Sequence, residues 1–219
     1  MPMKNSQRGF EFLRADDADG LRHLMDQDPA ASEARDATGV SLLMHSLYRG
    51  RRDLAELIAK KKKALDIFEA TALGRLDRLK ECLGDASSIN APSKDGFTAL
   101  HFACFFGQPE AARLLIESGA AVDAVAANPT RVRPLHSAAS ARNLEAARLL
   151  LEHGAHGMVN ARQQGGWVPI HAAAQNGDRP MVDLLLKHHA DPKLTNDEGK
   201  TPAMAAREKG HEEIAALLV

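Results

Sequence analysis

An all-α solenoid of stacked helix-turn-helix units is the fold this sequence predicts, and three observations predict it. The first is internal repetition: between Gly96 and Gly177 one pattern is written three times, with His101, His136 and His171 as its evenly spaced markers. Each marker opens a Leu-His-x-Ala or Ile-His-Ala-Ala stretch, and an Ala-Ala-x-Leu-Leu or Val-Asp-Leu-Leu-Leu stretch follows it. The second is composition: hydrophobic residues make up 44% of the 219-residue chain and aromatics only 4%. Many Ala and Leu with few rings suit thin helical layers better than one thick core. The third is continuity, for no Pro/Ser-rich linker or compositional break marks a second domain.

The marker register extends the pattern in both directions. A final copy carries Met204 at the marker, one period after His171. Upstream, Phe68 stands one period before His101, and Met44 and Glu11 mark two earlier copies with the same spacing between them. The units fall near residues 9–30, 39–63, 65–84, 96–120, 132–155, 166–190 and 199–219. The step from Met44 to Phe68 is much shorter than the rest, so the helix ending near Lys62 passes almost directly into the one beginning near Leu65. The loop found between other units has no residues to be made from there. The steps from His101 to His136 and on to His171 err the other way, with extra residues near Ala126–Arg131 and at Gly157–Met158. Insertions in repeat proteins go to loops because the helices must keep their packing register.

Within a unit, the small alanines of the first helix let layers approach, and the leucines of the second recur at helical spacing on the same side. Gly50, Gly74, Gly107, Gly177 and Gly210 punctuate the two helices, where a positive φ ends the first one. Arg142 takes that place in the fifth unit, a departure that predicts strain or a different turn. Thr98 and Thr201 are candidate caps, and Pro134, Pro169 and Pro202 suit the first helical turn. One unit cannot bury its apolar side alone. The charged run Arg207 to Glu213 makes the last unit read as a terminal cap.

Charge argues against a dedicated nucleic-acid binder: 28 Lys and Arg against 29 Asp and Glu give a net charge of −1. Cys82 and Cys104 show no metal-like spacing and read as reduced thiols. No apolar run is long enough for a signal-peptide core or a membrane span. A cytoplasmic monomer is the expectation.

Candidate chemistry is sparse. Gly-x-Ser-x-Gly, P-loop, Gly-x-Gly-x-x-Gly and His-Glu-x-x-His patterns are missing. The three marker histidines would sit in successive layers roughly 10 Å apart, too far to share one metal. They read as scaffold, hydrogen-bonded to nearby backbone. His153, His156, His188 and His189 cluster at the ends of two second helices and read as exposed C-terminal histidines. Neither catalytic residues nor cofactors are expected. The one basic concentration, Arg49 to Lys63, offers an acidic partner, nucleic acid or anionic lipid a second kind of surface.

The Thr-Pro-Leu-His-like starts and the period of about 33 to 35 resemble the ankyrin-repeat family from about Phe10 to Val219, most closely from Asp95 to Leu218. The resemblance implies an ankyrin-repeat solenoid of about six to seven units with short β-hairpin or loop fingers. It also implies a non-enzymatic protein–protein interaction scaffold or adaptor, and a concave face made of the fingers and the exposed side of the first helices. Two places in the motif look onto that face. One holds Val40, Phe97, Val132, Trp167 and Lys200; the other includes Tyr48-Arg49, Ala72-Leu73 and Phe105-Phe106. Five of the chain's nine aromatics stand at these places. Because interface energetics concentrate in aromatics and arginine, Tyr48, Arg49, Phe97, Phe105, Phe106, Val132 and Trp167 are the expected partner-binding residues.

Overall fold

The structure, a computed structural model, describes residues 5–219 as fourteen α-helices in seven antiparallel pairs. These are α1 (Asn5–Arg14) with α2 (Ala18–Gln27), α3 (Leu42–Tyr48) with α4 (Arg52–Lys61), and α5 (Ile67–Leu73) with α6 (Leu76–Cys82). The remainder are α7 (Ala99–Phe105) with α8 (Pro109–Glu117), α9 (Pro134–Ser140) with α10 (Leu144–Glu152), α11 (Pro169–Gln175) with α12 (Arg179–Lys187), and α13 (Pro202–Glu208) with α14 (Glu212–Leu217). First helices of successive pairs pack side by side, α5 on α7, α7 on α9, α9 on α11 and α11 on α13. Fully buried Ala103, Ala138, Ala139, Ala173 and Ala174 bring those backbones close.

The marker histidines have the structural duty expected of them. Each lies at the third position of its helix and accepts, through Nδ1, the backbone N–H of the capping residue: Thr98 for His101 (3.2 Å), Arg133 for His136 (3.3 Å) and Val168 for His171 (3.4 Å). Each Nε2 then donates to a carbonyl further along the chain, Val132 (3.0 Å), Ala161 (2.9 Å) or Lys200 (3.0 Å). These two bonds select the neutral tautomer protonated on Nε2. Burial agrees, holding His101 and His136 down to about 4 and lowering His171 too.

The fingers are hydrogen-bonded turns rather than β-hairpins. Each is closed by one backbone bond to the carbonyl of Val40, Phe97, Val132, Trp167 or Lys200 (2.8–3.0 Å). Among the described residues the only β-bridge is Arg35 with Ser41. The extra residues of the fifth finger lengthen its loop and put Arg131 at φ 53, while those at Gly157–Met158 form a short 3-10 turn, Ala155–Met158. Arg142 sits at φ 59 where five of the other six pairs use glycine and the first uses Asp16, at φ 56. Gly177, at φ 64, is crowded as well, because a Cβ there would lie 2.6 Å from His211 Nδ1.

The third unit corrects one expectation. Counted from the N-terminal cap, the marker place belongs to Glu69 rather than Phe68, because this unit has one residue fewer between its cap and Gly74. Asp66 caps α5 by accepting from the amides of Phe68 (3.0 Å) and Glu69 (2.9 Å), and Glu69 Oε2 accepts from the Asp66 amide (3.2 Å). This is a capping box in place of the histidine clasp. The connection from α4 to α5 is residues 62–66, with no finger, as the short step predicts.

The core divides at this unit. Leu21, Met25, Leu43, Leu54 and Ile58 of the first two pairs form one cluster with Ala72, Leu73 and Phe102. Ile67, Ala70 and Leu79 belong to the other, which runs on to Leu218. An ion network spans the junction. The Lys62 side chain is 2% exposed and its ammonium lies 2.8 Å from Glu33 and 3.4 Å from Glu69, whose side chain is fully buried. Burial beside Asp66 raises the Glu69 carboxyl above its ordinary range.

Candidate functional site

Seven of the chain's rings gather where the third finger is missing. Tyr48, at the end of α3, stacks on Phe106, which follows α7, with centroids 5.9 Å apart. Phe106 stacks in turn on Phe102 at 6.1 Å and meets Phe105 edge-on at 5.2 Å. Phe97 and Phe68 both pack edge-on against Phe102 at 5.8 Å. Phe10 joins from the first unit through His45, at 5.2 Å. The Tyr48 hydroxyl donates to Asp95 in the fourth finger, and burial together with that carboxylate raises the phenol above its usual range.

Phe102 is 3% exposed and carries the cluster into the core, whereas Tyr48 is 41% and Phe105 47% exposed. Tyr48, Phe97, Phe105 and Val132 line a pocket of about 240 Å³ together with Ser137, Ser140 and Gln163. The uncharged His101 lies in its wall. The pocket is therefore lined by apolar side chains and by uncharged hydrogen-bonding ones.

Of the residues singled out in the sequence, Tyr48, Arg49 and Phe105 are exposed, and Phe97, Phe106, Val132 and Trp167 are half-buried. The structure brings Tyr48, Phe97, Phe105, Phe106 and Val132 together. Trp167 stands apart, edge-on to His171 at 5.3 Å and in a neighbouring cleft of about 220 Å³ that shares only Ser140 and Gln163 with the first. Arg49 lies on the far side of Tyr48, in a third cleft. Ala72 and Leu73, expected on the face, are buried instead. With no finger of its own the third unit is overlapped by the larger side chains of its neighbours.

Sequence reasoning missed Phe102 and Phe68, the rings under the patch. Their signal was their type. Phe102 follows its marker where Ser137, Ala172 and Ala205 stand in later units, and Phe68 precedes Glu69 where those units have Leu135, Ile170 and Ala203.

The basic segment is largely neutralised inside the chain. Arg51 pairs with Asp16 and Asp53, Arg52 donates to the Leu73 carbonyl (2.9 Å), Lys61 pairs with Asp26 (2.9 Å), and Lys62 is buried with Glu33 and Glu69. At the other end of the chain His153 Nδ1 donates to the Leu149 carbonyl (2.8 Å) and His189 takes φ 67 to end α12. Among the described residues no group of three or more His, Cys, Asp or Glu is placed to hold a metal ion. No helix among them is long and apolar enough to cross a membrane.

Stacked helix pairs joined by turn-built fingers, with a ring-lined face along the first helices, define a helical repeat protein of the binding-scaffold class. The family model described as "Ankyrin repeats (3 copies)" matches residues 67–161 and 156–219, and the chain belongs to the ankyrin-repeat family. The chain is 43% identical over 56 residues to the ankyrin repeat domain-containing protein oryK of Aspergillus oryzae, a match covering 26% of this chain and 9% of that protein. It is 36% identical over 97 residues to the human DNA-binding protein RFXANK, covering 42% of this chain and 37% of that one. The matched stretches thus span well under half of either relative. Ankyrin repeats are scaffolding modules rather than catalytic domains, and they generally mediate protein–protein interactions.

Proposed function

We propose that the chain is a protein-binding scaffold that holds its partner on the concave face between the second and fifth units, with Tyr48, Phe97, Phe105, Phe106 and Val132 as the apolar anchors. The observation that carries this reading is the exposure of Phe105 and Tyr48, at 47% and 41%, on top of rings that are otherwise packed. Large exposed aromatics around a concavity are poorly accommodated in water and supply most of the binding energy when a partner covers them. Trp167 and Arg49 extend the face on either side.

A nucleic-acid reading, which the name of the human relative suggests, has less support. The cations of the Arg49–Lys63 segment are mostly paired within the chain and the net charge is −1. The test is quantitative affinity capture from source lysate with the wild type and with Phe105→Ala/Tyr48→Ala, both checked by circular dichroism. Proteins captured by the wild type should fall away with the variant. An unchanged capture profile on a folded variant ends this assignment of the face.

A further inference from the structure

The ring-lined pocket is one half of a longer groove. On the other side of Tyr48 a cleft of about 630 Å³ opens between the first and second units, lined by Phe10, Leu13, Arg14, His45, Tyr48 and Arg49 among others. Tyr48 lines both concavities, so the two adjoin at one ring and make a groove of two parts.

The charges in this groove are unbalanced. Among the described residues Arg14 and Arg49 are exposed and have neither an ion pair nor a side-chain hydrogen bond. Three arginines, Arg14, Arg35 and Arg49, line the cleft against one carboxylate, Asp36, which is ionised but has its oxygens occupied, and neither it nor Asp95 pairs with Arg14 or Arg49. Asp36 accepts from the Thr38 amide (2.8 Å), the Thr38 hydroxyl (2.7 Å), the Val40 amide (3.0 Å) and His45 (2.7 Å), and these bonds hold it down to about 2. Asp95 is taken by the hydroxyls of Tyr48 and Ser93. Arg35, the third arginine of the cleft, is tied to Asp66 (2.9 Å) and to the Gly39 carbonyl (3.0 Å). Two guanidinium groups therefore stand without an internal partner at one end, and an apolar pocket with room for one Leu- or Phe-sized side chain lies at the other.

We propose that this groove binds an acidic, extended peptide segment of a protein partner, its carboxylates on Arg14 and Arg49 and a flanking apolar side chain in the Phe97–Phe105–Val132 pocket. The inference rests on the concave-face reading and names the partner's chemistry. A planar guanidinium matches a carboxylate bidentately, and such charge-assisted pairs are about twice as strong as neutral ones. Fixing the acidic part beside a ring-lined pocket sets the register of the segment, which is the usual division of labour between charge and apolar anchor. Two spare cations favour a peptide over nucleic acid, whose affinity grows with the number of phosphates neutralised.

The test is selection of a displayed random-peptide library on the immobilised full chain, followed by fluorescence anisotropy of the enriched peptides. Enriched sequences should carry Asp or Glu next to Leu, Phe or Trp. Their affinity should fall about tenfold in each of Arg14→Glu, Arg49→Glu and Phe105→Ala, and it should weaken with added salt. Arg14 and Arg49 have no internal partner, so circular dichroism should show both charge variants folded, Arg14→Glu losing only a little stability for its anion at the C-terminus of α1. Peptides sensitive to Phe105→Ala but indifferent to both arginine variants overturn the acidic assignment and leave the concave-face reading standing. Peptides indifferent to all three, or no enrichment, overturn both. Displacement of the peptides by an equal concentration of oligothymidylate overturns the peptide in favour of a nucleic acid.

Discussion

The rings of Tyr48 and Phe106 stack 5.9 Å apart although a complete helix pair, α5 with α6, lies between them in the chain. The Tyr48 hydroxyl reaches past the third unit to Asp95. The unit they span has lost its finger and puts only Ala72 at the place of Tyr48, so the second and fourth units meet over it. Replacing the bond tests how much that bridge contributes. Tyr48→Phe should lower stability by about 1 kcal/mol, the ordinary worth of one hydrogen bond, and Asp95→Asn combined with it should cost little more. Urea midpoints of the two single variants and the double variant measure the coupling.

Phe102 and Phe105 should separate stability from binding. Phe102 is 3% exposed at the centre of the cluster, and its replacement by Ala should cost about 3–5 kcal/mol. Phe105, 47% exposed, should cost under about 1 kcal/mol on the same change. Chemical denaturation of both variants checks this, and equal losses would show that Phe105 is a packing residue.

The histidine clasps make the fold acid-sensitive. His101 and His136 have folded pKa values near 4, below the ordinary 6.5, so below pH 6.5 the unfolded chain takes up protons that the folded one refuses. Stability is fully present above about pH 6.5 and is lost progressively as pH falls toward 4, by roughly 3 kcal/mol for each of these residues. Denaturation midpoints at several pH values should show the loss. His136→Gln, destabilised overall, should show a visibly shallower dependence.

Lys62 guards a buried carboxylate. Lys62→Met leaves Glu69 buried without its ammonium and should cost about 3–5 kcal/mol. Adding Glu69→Gln, which can still accept from the Asp66 amide, should restore much of that loss. Thermal melts of the single and double variants decide it; additive losses would mean that Lys62 acts through Glu33 alone.

Arg142 occupies a left-handed backbone conformation that five of the other six helix pairs give to glycine. Arg142→Gly should raise stability by about 0.5–1 kcal/mol. The 3.7 Å approach of its exposed guanidinium to Asp178 is too loose to offset that gain. Gly177→Ala, strained and crowded by His211, should lower stability by at least about 1 kcal/mol. Calorimetry of the two variants checks both signs.

Much of this was legible in the residues. Repeat period, helix pairing, glycine positions and the lost third finger all follow from local spacing, because each helix pair must present its small and apolar residues in one register. The repeat period measured back from His101 puts the marker at Phe68, one residue before Glu69, because it assumes a first-helix length that this unit does not keep. The rings at 48, 97, 105 and 106 could be named as lying on the concave places. Which of them meet could not, since Trp167 occupies the same motif place as Phe97 and yet belongs to another cleft.

By itself the sequence determined the architecture of this protein: a regular repeat dictates stacked layers, and the neutral histidine bonding two backbones dictates how one layer sits on the next. Only the tertiary structure decided where the surface becomes particular. Exposure, stacking across a missing finger and the balance of charges in a groove are properties of units brought side by side. A pairing such as Tyr48 with Phe106, or an arginine left without a carboxylate, depends on what every neighbouring layer has already taken.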